Sequence, residues 1–136
     1  MGVATRTHQA IDRRLSGEPL EVGPGRARIR LTTTPEMAAD SEGLVHGGFI
    51  FSLADYCAML AVNEPHVVLG SAEMRFLAPL RVGDVVEAHG EIIDGEDGRY
   101  RVEVVVEKAS HPSAGPLARG VFRCIVTSRH VLESGS

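Results

Sequence analysis

Residues 44–63 constrain everything else in the chain. Val45-His46-Gly47-Gly48 runs directly into the apolar segment 49–62, where Ser52 and Asp55 are the only plainly polar side chains and Tyr56 is amphipathic. A helix that is apolar on nearly every face has to be enclosed by the rest of its domain. Ionised Asp55 would be enclosed with it, at a cost of several kcal/mol unless it is paired, hydrogen-bonded or neutralised. Either the fold supplies a partner for that carboxylate or the protein uses its discomfort.

The 136 residues fit one domain, enough to bury about two-thirds of the unfolded surface. With 43% hydrophobic and 24% charged residues the chain lies outside the regime of disorder, so it should fold. Residues 26–33 alternate, placing Ala27, Ile29 and Leu31 on one face of a strand and arginines on the other. Pro35 closes this strand, and residues 35–43 form a connection with a helical turn near 36–39. After the long helix Glu64-Pro65 forces a break, and residues 67–78 form a strand with a bulge at Gly70, ended by Pro79. Residues 85–94 and 99–109 form a hairpin about Gly95-Glu96-Asp97-Gly98, and residues 117–128 form the last strand. Upstream, Ile11 and Leu15 among charged neighbours suggest a short amphipathic helix over 7–15, stopped by Ser16-Gly17. The expected organisation is an N-terminal extension (1–25), one domain (26–130) and a disordered tail (131–136). One strand, a buried helix and four further strands imply an α+β fold, an antiparallel sheet wrapped around the helix. A second subunit would close any face left uncovered.

Several function classes drop out. A net charge of -4 without a block of like charge gives no reason to expect nucleic-acid binding. Cys57 and Cys124 have no metal or redox spacing and read as core thiols, which suits a reducing cytoplasm. His8, His66, His89, His111 and His130 are scattered, so no metal site is expected. The amino terminus lacks the apolar core of a secretory signal, and no run is long enough to span a membrane.

His46-Gly47-Gly48 followed by Phe51-Ser52-Leu53-Ala54-Asp55 resembles the hot-dog fold, specifically its PaaI-type acyl-CoA thioesterases, relatives of the 4-hydroxybenzoyl-CoA enzymes. A second block, Met74-Arg75-Phe76-Leu77-Ala78-Pro79 with Gly83-Asp84, is similar to the strand and turn that follow the helix in that family, and the likeness spans residues 27–128. The resemblance implies hydrolysis of an acyl-CoA by a homodimer or a dimer of dimers, with the CoA thioester as substrate and no further cofactor. It implies that Gly47, followed by Gly48, offers its amide to the thioester carbonyl, and that Asp55 of the opposite subunit is general base or nucleophile. The chemistry is sound in itself, because a helix start presents unpaired amides and a partial positive charge to an oxyanion. Asp55 lies eight residues beyond Gly47, about 12 Å along one helix, so one chain cannot bring both to one carbonyl carbon.

The same resemblance bears on His46, Asp40 and Ser71. His46 either orients the ligand or is a structural hydrogen-bond partner. Asp40 stands where relatives often carry Asn or Gln; it is either a second base or the sign of a shifted loop, since an ionised carboxylate has no donor to offer. Ser71 aligns with a serine that in some relatives positions the attacking water. Arg81, with Arg75, Arg119 and Arg123, is a candidate for the phosphates of CoA only because it lies in or beside the strands that follow the helix. Asp40 motivates one alternative, a non-catalytic acyl-CoA-binding module. A hot-dog hydratase fits less well, because the Asp-His pairing of those enzymes is missing.

Overall fold

The computed structural model describes residues 4–133, so residues 134–136 of the expected tail lie outside the described residues. The elements are α1 (Arg13–Ser16), β1 (Glu18–Gly23), β2 (Arg26–Thr32), α2 (Gly47–Val62), β3 (Val67–Phe76), β4 (Val85–Glu96), β5 (Arg99–Lys108) and β6 (Ala118–Val126). The strands form one antiparallel sheet in the order β1-β2-β4-β5-β6-β3. It wraps around α2, as the alternation of its strands requires. Ala27, Ile29 and Leu31 of β2 and Val102, Val104 and Val106 of β5 are all buried, and they pack with Leu53, Cys57 and Leu60 of α2 in one core.

Helix α2 ends at Asn63, whose φ of 52° is left-handed and whose side chain holds the N-terminal segment by accepting from the Arg6 amide and donating to the Ala4 carbonyl. Both cysteines are free and buried, as expected. Among the described residues no helix is long and apolar enough to cross a membrane, and no group of side chains is placed to hold a metal ion.

Three details differ from expectation. The first helix covers only Arg13–Ser16, capped by Asp12 accepting from the Arg14 amide, because His8 upstream takes a left-handed φ of 54°. Glu18–Gly23, expected within an extension, is a sixth strand that turns through Pro24-Gly25 to pair with β2. The hairpin between β4 and β5 turns on only Asp97 and Gly98, both at positive φ, so Gly95 and Glu96 belong to β4. The bulge at Gly70 is present, as a register shift between Leu69 and Ser71 against β6.

Candidate active site

The start of α2 leaves its first backbone amides without a side-chain cap. His46 occupies the N-cap position, yet its side chain makes no capping hydrogen bond, and it leans edge-on against the Phe49 ring. Among the described residues the amides of Gly47 and Gly48 have no acceptor, whereas the Phe49 amide donates to the His46 carbonyl. Gly47 does not have positive φ, and a Cβ added there would meet only the Phe76 ring, at an ordinary contact of 3.6 Å. Neither backbone nor packing within this chain therefore demands glycine at 47. At Gly48 a Cβ would stand 3.0 Å from the His46 ring, so that glycine lets the imidazole lie where it does.

Seven residues on from Gly48, Asp55 sits on the same face of α2, a face the chain's own sheet covers only in part. Gly48, Phe51, Ser52 and Asp55, spaced as neighbours on one helical face, all keep some exposure, whereas Leu53, Ala54, Tyr56 and Cys57 are buried. Ser52 is held by a 2.7 Å hydroxyl contact with Ser16 of α1. Asp55 has no such tie: among the described residues its Oδ1 is buried without a hydrogen-bond partner. Loss of water raises its pKa to about 6, and the nearby Cys124 thiol is pushed up by its own burial and further by the charge of Asp55.

Asp40 and Arg81 share a groove of about 490 Å³ with Lys108 and Asp84. Asp40 is exposed, and its Oδ1 accepts from the amides of Glu42 and Leu44, so its carboxylate shapes the loop that leads into α2. The Arg81 backbone bridges to Leu44 and donates to the Asp84 carboxylate, while its side chain stays exposed and, among the described residues, outside any ion pair. This groove shares Pro79 and Leu80 with a smaller, wholly apolar cavity that has Gly47 in its wall.

Thus the helix start, Asp40 and Arg81 gather at one end of the molecule, with Asp55 two helical turns away along α2. Ser71 does not join them. It pairs with Arg123 in β6, whereas its neighbour Ala72 pairs with Phe122, which stacks on Phe51 of α2, so Ser71 faces away from the helix. The Gly70 bulge sets this parity. Phe76, quoted above only as part of a resembling block, and Lys108 come beside Gly47 and Arg81 through the fold.

Comparisons with known proteins agree with this architecture. The crystal structure of PH1136 from Pyrococcus horikoshii superposes with a TM-score of 0.92 at 46% identity, over 97% of this chain and 98% of that one. The methylthioribose-1-phosphate isomerase of Aquifex aeolicus is 49% identical over 102 residues, which are 75% of this chain but only 22% of that protein. The transcription factor FapR of Caldanaerobacter subterraneus is 27% identical over 67% of this chain and 46% of its own length. The chain thus spans less than half of either of these two curated relatives. The model of the thioesterase superfamily matches residues 42–113, more than half of the chain, and the protein belongs to that superfamily, with the sheet-wrapped helix of its hot-dog fold.

Proposed function

We propose that the protein is an acyl-CoA thioesterase whose reacting groups come from two chains: the Gly47 amide of one protomer and the Asp55 carboxylate of its partner. The observation that carries this reading is Asp55, a carboxyl deprived of water and left without a partner on the open face of α2. The free amides at the start of the same helix supply the complementary half. A second copy has a place to bind. Strand β3 is a ten-residue edge strand with one side unpaired, and Phe76 at its end and Leu77 beyond are each 54% exposed.

In the reaction, ionised Asp55 takes a proton from water as the water oxygen bonds to the thioester carbon. The carbonyl electrons move onto oxygen, where the Gly47 amide and the helix dipole stabilise the negative charge. Collapse of this intermediate breaks the carbon–sulfur bond, and the CoA thiolate recovers the proton from Asp55. A carboxyl with a pKa near 6 is ionised at neutral pH while remaining a stronger base than an ordinary aspartate. Of the adjoining groove, which also carries Asp40, Glu42 and Asp84 and pairs Lys108 with Asp84, Arg81 is the side chain that suits a phosphate of CoA.

The test is thiol release from a panel of acyl-CoAs by the wild type and Asp55→Asn. Turnover that Asp55→Asn abolishes supports the reading; equal turnover by both removes Asp55 from the chemistry. An active monomer in analytical ultracentrifugation would contradict the two-chain site. The relationship to FapR, named as a transcription factor, together with a carboxylate at position 40, favours a second reading, a non-catalytic acyl-CoA-binding module. Stabilisation by CoA thioesters with no thiol release would select it.

A further inference from the structure

A partly open cavity at the start of α2 is lined by Val45, Ile50, Leu80 and Leu117 together with Phe76, and Gly47 forms part of its wall. Its volume is about 130 Å³, and every residue that lines it is apolar. Val45, Ile50 and Leu80 are almost fully buried core residues, so the floor is rigid. Phe76, by contrast, is 54% exposed at the end of an edge strand, with its ring against Gly47. On the far side of Pro79 and Leu80 lies the groove that holds Arg81 and Lys108. A hole lined by apolar residues, an unpaired amide and a groove of mixed charge, with Arg81 and Lys108 among three carboxylates, thus follow one another over a short distance.

We infer that this cavity seats the acyl group and limits it to a short aliphatic chain of up to about six carbons, with Phe76 as the residue that sets the limit. The inference rests on the thioesterase reading above and gives it a substrate class. A carbonyl oxygen held by the Gly47 amide has its acyl carbon at the cavity mouth, because the same residue lines both. A cavity of roughly 150 Å³ holds one benzene molecule, so a space of 130 Å³ is filled by about six carbons. The lining offers no hydrogen-bonding side chain to a hydroxylated acyl group. Each methylene that enters the cavity should raise kcat/KM by about fourfold until the space is full. Beyond that length the chain must displace Phe76 or bend back into water.

The experiment has two arms on the full-length protein. In the first, thiol release is measured for straight-chain acyl-CoAs of two to sixteen carbons with wild type, Phe76→Ala and Ala78→Leu. The expected result is an optimum near six carbons with a fall of about tenfold or more by twelve. Phe76→Ala moves the optimum to longer chains, and Ala78→Leu, at another lining position, moves it to shorter ones. In the second arm, ligand-induced thermal shifts are measured for the matching non-hydrolysable thioethers, which need no turnover. Hydrolysis with no optimum, or with an optimum that neither substitution moves, overturns the acyl pocket and leaves the thioesterase reading standing. A chain-length optimum in the thermal shifts without any hydrolysis does the reverse: the pocket stands and the thioesterase falls.

Discussion

Two carboxylates in this protein have lost most of their water, and the fold treats them in opposite ways. Glu87, on β4, is 8% exposed and lies on the outer face of the sheet. Burial alone would raise its pKa, but Arg30 (Nε at 3.0 Å) and Arg28 (3.2 Å) reach it across the strands and hold it below the ordinary glutamate value. Asp55 has no arginine, no amide donor and no hydroxyl on its buried oxygen, so burial goes unanswered and its pKa climbs to about 6. The cross-strand positions facing Glu87 were filled with partners, and those facing Asp55 were not. That difference is the ground on which the proposed chemistry is assigned to Asp55.

The contrast can be broken most forcefully at Asp55 itself. Asp55→Asn should lower kcat/KM for acyl-CoA by about 10²–10⁴-fold while the protein stays folded, read by thiol release beside circular dichroism. Next comes the donor. Gly47→Pro removes the amide, yet proline is well tolerated at the first helical position, and His46 already has the extended backbone (ψ 130°) that precedes proline comfortably. Activity should fall about 10²–10³-fold with little change in Tm. Glu87→Gln should act the other way round. It costs about 1–2 kcal/mol in chemical denaturation, because Arg28 and Arg30 lose a charged partner but remain partly solvated, and it leaves kcat unchanged.

The last effect concerns stability alone and shows in the sign of its pH dependence. The folded pKa of Asp55 is raised, so folding favours its protonated form, and its contribution to stability is lost as pH rises from about 4 through about 6. The gap between 3.8 and about 6 corresponds to at most about 3 kcal/mol, less whatever water reaches the open side of the carboxyl. The folded pKa of Glu87 is depressed, so its contribution is present above the unfolded value and disappears as pH falls through the folded one. Asp55→Asn should therefore raise Tm at pH 7 and leave it unchanged at pH 4, whereas Glu87→Gln lowers Tm at pH 7.

Much of the fold was legible because strand parity and helix apolarity are local. Ala27, Ile29 and Leu31, and likewise Val102, Val104 and Val106, reveal their face by alternation alone. Glu18–Gly23 escaped because an edge strand pairs on one side only; it carries Pro19 and a burial pattern without alternation. In the site, Gly47 and Asp55 stood out through an unusual glycine pair and an unusual acid. Asp40 and Ser71 depended on local geometry that spacing does not encode. Asp40 turns its carboxylate onto two backbone amides of its own loop, and the bulge at Gly70 sets Ser71 on the far face of β3. Phe76 belongs to a recognisable block, but its place against Gly47, like that of Lys108 beside Arg81, comes from tertiary contacts alone.

The cross-subunit pairing of Gly47 with Asp55 is tested most directly by complementation. Asp55→Asn and Gly47→Pro chains, each inactive alone, are co-expressed with different tags so that mixed dimers form. In a mixed dimer one site combines an intact Gly47 from the first chain with an intact Asp55 from the second. Random pairing should then restore about a quarter of wild-type activity per total protein, with all of it in the doubly tagged fraction. If the two groups acted within a single chain, no combination would contain an intact site, and doubly tagged dimers as inactive as either parent would contradict the pairing.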